Sequence, residues 1–159
     1  MAIVFIALGA NLGDPSSQAN DAIEAIKTLT STQVLQVSPF YRSKPLGPQD
    51  QPDYLNAVLK IETTLLPLEL LSAVQEIEKN LGRVRKSNRW GPRTLDLDIL
   101  LYDDLILTSE ILTIPHYDMK NREFVLYPLF DIAPELVLPD KQRISDLLQK
   151  VPMNNMVRW

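Results

Sequence analysis

Residues 94–102 read TLDLDILLY, and this strict alternation of apolar and acidic residues is the period of a β-strand, not of a helix. Successive side chains of a strand point to opposite faces. Leu95, Leu97 and Ile99 therefore share one face, and Asp96 and Asp98 share the other. The leucine face demands a core. Two like charges on the other face repel, so that face needs water or a positive partner. Immediately upstream, GRVRKSNRWGPR (82–93) carries Arg83, Arg85, Lys86, Arg89 and Arg93 with no acid among them. Such a run is either a solvated basic loop or a cradle for an anion.

The rest of the chain supplies the partners that such a strand needs. Residues 2–8 read as a first strand, turned by GANLGD. Asp14 then fits an N-cap with Pro15 at the first helical position. Ala19, Ala22, Ile23, Ile26 and Leu29 recur at helical spacing and predict a buried stripe. A strand over 33–42 carries Pro39 as an edge or bulge signal, and residues 43–53 form a proline-rich loop. A strand over 54–63 follows. The spacing then predicts a helix over 67–81, with Leu71, Val74, Ile77 and Leu81 facing inward and Gly82 ending it. After the acidic strand come a turn at Asp103-Asp104, a short strand in LILTS, a short helix near 122–130 and another over 143–151.

The order β-α-β-β-α-β predicts an α+β fold. The expected form is a ferredoxin-like, mainly antiparallel sheet with helices on both sides, a three-layer αβα sandwich. At 159 residues it suits one domain, residues 1–159. The chain has no cysteine, which excludes disulfides, thiolate catalysis and cysteine-held metals and fits a reducing compartment. Its apolar start has no basic segment before it, so it reads as a buried strand and not as a signal peptide. A net charge of −4 argues against a general nucleic-acid binder.

Chemistry concentrates in four places. Asp96 and Asp98 emerge about 6.5–7 Å apart on one strand face, a spacing that suits a hard cation such as Mg²⁺, which takes one or two carboxylates and completes its shell with water and phosphate. A solvent-facing acidic stripe would look the same. The arginines of 82–93 suit phosphate oxygens, and the sequence contains no GxxxxGK[ST]. His116, the one histidine, is either structural or a phosphate contact. Tyr54 and Asn56 share a strand face, as an edge pair or as a stacking ring beside a carboxamide for a flat heterocycle. Binding of RNA by an exposed sheet and metal-dependent phosphate hydrolysis are the competing readings. An RNP-type aromatic strand motif is missing, and the aspartates would repel a phosphate backbone without metal.

Four stretches, ALGANLGD, SPFYRSKPLGPQDQPDYLNAV, GRVRKSNRWGPRTLDLDILL and PHYDMKNREFVLYPLFDIAPEL, resemble the 6-hydroxymethyl-7,8-dihydropterin pyrophosphokinases of folate biosynthesis, in their bacterial single-domain form. That resemblance implies a cytoplasmic, monomeric enzyme acting on two small molecules, with no nucleic-acid or membrane partner. It would transfer diphosphate from ATP to the pterin hydroxymethyl group and release AMP. It further implies Asp96 and Asp98 as ligands of two Mg²⁺ ions, and a pterin between Tyr54 and Phe124, read by Asn56 and by main-chain groups of Ser43, Lys44 and Leu46. ATP would meet Leu71, Gln75, Glu78, Arg85, Trp90, Arg93, Ile99, Leu112, Thr113, His116, Tyr117 and Arg122. Arg83 and Arg93 would assist the chemical step. The chain departs from the family pattern at Ser43-Lys44, Ile111 and Glu123.

Overall fold

A computed structural model describes residues 1–11, 13–44, 53–81 and 95–159. The expected loop residue Leu46 and the expected arginine segment with Arg83, Arg85, Trp90 and Arg93 lie outside the described residues. The elements run β1 (Ala2–Ala10), α1 (Pro15–Lys27), β2 (Thr32–Val37), β3 (Tyr41–Ser43), β4 (Tyr54–Thr63), α2 (Pro67–Leu81) and β5 (Leu95–Tyr102). They continue with β6 (Leu107–Thr108), β7 (Thr113–Ile114), a 3₁₀ turn (Met119–Asn121), α3 (Glu123–Ile132), α4 (Ile144–Lys150) and β8 (Val157–Arg158).

Six strands form one sheet in the order β5-β1-β4-β3-β8, with β2 also paired to β4, and every pairing among the described residues is antiparallel. β6 and β7 make a separate two-stranded ribbon. The fold is mixed α/β with a mainly antiparallel sheet.

Side-chain alternation along β1 sorts the core into two clusters. Ala2, Val4, Ile6, Leu8 and Ala10 pack with Leu95, Leu97 and Ile99 of β5, the α1 residues Ala19, Ala22, Ile23 and Ile26, and the α2 residues Leu70, Val74 and Ile77. Phe5 packs instead with Val58, Leu100, Leu101 and the apolar residues of α3 and α4. Each fully buried leucine or isoleucine here contributes about 1.5–3 kcal/mol of burial. Phe5 pairs with Leu101 but Ile6 pairs with Ile99, so Leu100 is an extra residue in β5. This bulge brings both Leu100 and Leu101 to the second cluster.

Local chemistry explains the element ends. The Asp14 carboxylate accepts from the Ser17 N–H at 3.3 Å and from the Ser16 hydroxyl at 2.9 Å, with Pro15 at the first helical position. Gly13, at φ 67°, supplies the left-handed turn before that cap.

Two expectations need correction. The single strand over 33–42 is two strands, because Pro39 has no N–H with which to continue the ladder. Ser38 closes the gap: its N–H donates to the Val58 carbonyl, and its hydroxyl accepts from the Val58 N–H, both at 2.9 Å. In α2 the buried position is Leu70, whereas Leu71 is half-buried and Leu81 packs at the margin.

Candidate active site

Helix α3 covers only part of its sheet face. Beyond its first turn the strands β1, β4 and β5 present side chains to a cavity of about 220 Å³. Its floor comes from register. Gly9 pairs with both Asn56 and Asp96, and Ala7 pairs with Asp98, so the smallest side chains of β1 stand beside the two carboxylates. Ser43, Lys44, Tyr54 and Asn56 line it, as do Leu100, His116, Arg122, Phe124 and Val125. That volume lies below the ~300–1,000 Å³ of sites for drug-sized ligands, which suits one compact ring system.

Asn56 is buried and held in one orientation. Its Nδ2 donates to the Ser43 hydroxyl at 2.6 Å and lies 3.4 Å from the Tyr54 carbonyl, which can only accept. The carboxamide oxygen is then directed elsewhere; a Cβ added at Gly9 would lie 3.9 Å from it and 4.0 Å from Tyr54 Cδ1. An acceptor of fixed direction beside two aromatic residues, Tyr54 and Phe124, is a site for a flat heterocycle with ring N–H groups.

A second cavity of about 390 Å³ adjoins the first. Leu71, Gln75 and Glu78, spaced i, i+4 and i+7 on α2, line one part of it, which explains why Leu71 is not in the core. Ile99, Leu112, Thr113 and Tyr117 line another, with Glu110 and Ile111. Asp96, Asp98 and His116 belong to both cavities. Nearly every described residue expected at the nucleotide lines this second space. Arg122 is the exception, because it lines the first.

Three further contacts shape the junction. Glu78 Oε2 accepts from the Leu97 N–H at 2.7 Å, which fixes the backbone between the two aspartates. The His116 N–H donates to the Leu100 carbonyl at 3.0 Å, and its Nδ1 accepts from the Asp118 N–H at 3.2 Å. Burial pushes the imidazole below its ordinary pKa; Asp98 opposes this and Arg122 reinforces it. With Nδ1 accepting, the neutral ring carries its proton on Nε2 and is a donor there. Its ring stacks on Tyr117 at 4.8 Å.

Arg122 is tethered through Nε to Asp118 at 3.1 Å. Its guanidinium carbon is 5.6 Å from the Phe124 ring centre and 6.0 Å from that of Tyr117, so it stands between an aromatic of each cavity. Lys44 and Arg122 are the positive side chains lining the first cavity among the described residues.

Sequence reasoning missed Ala7, Leu8, Gly9, Leu100 and Val125 in the first cavity and Leu97, Glu110 and Ile111 in the second. The alternation of small residues in ALGA was the available signal for the floor.

A model of the family 7,8-dihydro-6-hydroxymethylpterin-pyrophosphokinase (HPPK) matches residues 5–134. The chain belongs to this family. Members are pyrophosphokinases, that is, enzymes that transfer diphosphate. Among curated HPPK relatives, the 2-amino-4-hydroxy-6-hydroxymethyldihydropteridine pyrophosphokinase of Haemophilus influenzae is 56% identical over 158 residues, covering 99% of this chain and 98% of that protein. The protein of the same name from Pseudomonas aeruginosa is 50% identical, covering 98% and 95%. The solved structure of wild-type Plasmodium falciparum HPPK-DHPS shares the fold, with a TM-score of 0.72 at 14% identity. This chain is covered to 99% there and spans 47% of that longer one.

The Asp pair fits the divalent cation that phosphoryl transfer uses. Both ligating groups are hard carboxylate oxygens on one strand face, beside the short side chains of Ala7 and Gly9 and open to both cavities.

Proposed function

We propose that this HPPK-family protein transfers diphosphate from ATP to the hydroxymethyl group of 6-hydroxymethyl-7,8-dihydropterin, a step of folate biosynthesis. The observation that carries the reading is the meeting of two cavities, one sized for a ring system and one larger, at Asp96, Asp98 and His116. The pterin lies in the first cavity between Tyr54 and Phe124, with Asn56 on its amide edge, and by resemblance main-chain groups of Ser43, Lys44 and Leu46 complete the pocket. ATP lies in the second, along Leu71, Gln75 and Glu78 and against Ile99, Leu112, Thr113 and Tyr117.

The pterin hydroxymethyl oxygen attacks the β-phosphorus and gives up its proton to solvent, the bond from that phosphorus to the α,β-bridging oxygen breaks, and AMP leaves. Asp96 and Asp98 would hold Mg²⁺, two ions by resemblance, which would supply charge neutralisation for the transferred phosphates. His116 donates from Nε2 to a phosphate oxygen. By resemblance, Arg85, Trp90, Arg93 and Arg122 contact the nucleotide, and Arg83 and Arg93 assist the chemical step. The acids lining the first cavity among the described residues are the Asp pair, and His116 has its outward nitrogen already protonated. Neither supplies a general base, so positioning and charge neutralisation carry the rate.

We read the two-sided core as the ferredoxin-like, three-layer arrangement, one domain over residues 1–159, acting as a monomer in the cytoplasm. No helix among the described residues is long and apolar enough to cross a membrane.

Product analysis tests the reaction. With ATP, Mg²⁺ and the pterin, AMP and pterin diphosphate should form in equal amounts. ADP or inorganic phosphate without pterin diphosphate would make the protein a hydrolase instead.

A further inference from the structure

Ser43 stands on β3 and Phe124 on α3, and both line the first cavity. β3 is only three residues long, so something beyond its own ladder must set its distance from α3. The chain from Val151 to Trp159, outside the family match, contacts both elements.

It touches α3 along one stripe. Asn154 Nδ2 donates to Glu123 Oε1 at 3.1 Å, and the Tyr127 hydroxyl donates to the Val151 carbonyl at 2.8 Å. Asp131 completes the i, i+4, i+8 series: Arg158 Nη2 is 4.0 Å from its Oδ2, and the Tyr41 hydroxyl of β3 donates to that same oxygen. Burial raises the Tyr41 pKa and the bond to Asp131 raises it further, so the phenol stays a donor.

The strap then grips β3 itself. β8 pairs with it, Arg158 opposite Tyr41 and Val157 opposite Arg42. The Trp159 N–H donates to the Phe40 carbonyl at 2.8 Å. Arg42 lies 3.9 Å over the Trp159 ring, and Arg158 lies 5.1 Å over that of Tyr41. Tyr41 in turn is paired with Asn56, and Ser43 with Tyr54.

We infer that residues 151–159 are a strap that sets the spacing of β3 and α3, with Tyr41, Arg158 and Trp159 as positioning residues for the pterin subsite. The inference rests on the assignment of the first cavity to the pterin. Arg158 is exposed and reaches Asp131 only at 4.0 Å, a kind of contact that adds little to global stability. A melt beside the kinetics therefore separates a change at the site from a loss of the fold.

The test is steady-state kinetics of Tyr41→Phe, Trp159→Ala, Trp159→Phe and a deletion of 157–159, each with a thermal melt. Tyr41→Phe and Trp159→Ala should raise the pterin KM about fivefold or more and leave the ATP KM within twofold; Trp159→Ala should melt near wild type, and Tyr41→Phe, which loses a charge-assisted bond, below it. Trp159→Phe, which keeps a ring beneath Arg42, should restore the pterin KM. Point variants that fold and keep the wild-type pterin KM overturn the strap, as does an equal rise in both KM values. If the deletion fails to fold, the point variants decide. A wild-type enzyme that makes no pterin diphosphate refutes the proposed reaction instead, and the strap falls with it.

Discussion

Glu78 on α2 accepts the main-chain N–H of Leu97 at 2.7 Å, and Leu97 is the residue between Asp96 and Asp98. Among the described residues β5 is the outer strand of the large sheet, and N–H groups on its far side find no strand there. A carboxylate from the helix replaces the missing neighbour and fixes the backbone from which both aspartates project.

Glu78→Ala should therefore act twice. Loss of a charge-assisted bond to a part-buried N–H should cost about 1.5–3 kcal/mol in urea unfolding. Turnover should fall further than stability alone explains, because the aspartates lose their common anchor. Glu78→Gln keeps an acceptor and should recover most of the stability. A Glu78→Ala protein as stable and as active as wild type would remove the strut.

Asp96→Asn and Asp98→Asn change charge without changing volume. Each should lower turnover by at least about a hundredfold, while far-UV circular dichroism and the melting temperature stay close to wild type. Wild-type turnover in either variant would contradict the metal assignment.

Two substitutions separate the subsites. Gly9→Ala adds a methyl at ordinary contact distance from Asn56 and Tyr54, so the protein should fold normally while the pterin KM rises. Phe124→Ala should weaken pterin binding by about 1 kcal/mol beyond the lost burial. ATP affinity should barely move in either case. Equal losses for both ligands would make these residues general supports of the fold.

How much of this was legible follows from the range of each interaction. The cap at Asp14, the period of β5 and the bounds of β4 and α2 rest on neighbours in sequence, and the pattern shows them. Pro39 was visible as an irregularity, but the break into β2 and β3 depends on Ser38 finding Val58, 20 residues away. Leu71 looks like a core residue by spacing; it packs at the margin of the core and also lines the second cavity with Leu112 and Thr113. The Glu78–Leu97 bond spans 19 residues and leaves no periodic trace. The strap is less legible still, since β8 is two residues long and Glu123, an oddity in the family pattern, makes sense only when Asn154 is beside it. The expected pterin and nucleotide residues were legible as motifs and fall largely into separate cavities; the place of Arg122 on the first cavity was not legible.

The most direct test of that division is an amide NMR titration of the protein with Mg²⁺ present, first with the pterin and separately with a non-hydrolysable α,β-methylene analogue of ATP. The pterin should shift Ser43, Tyr54, Asn56 and Phe124, the nucleotide analogue should shift Leu71, Gln75, Leu112 and Thr113, and both should shift Asp96 and Asp98. Perturbation of a single common set by the two ligands, or two sets of which neither reaches the aspartates, would contradict it.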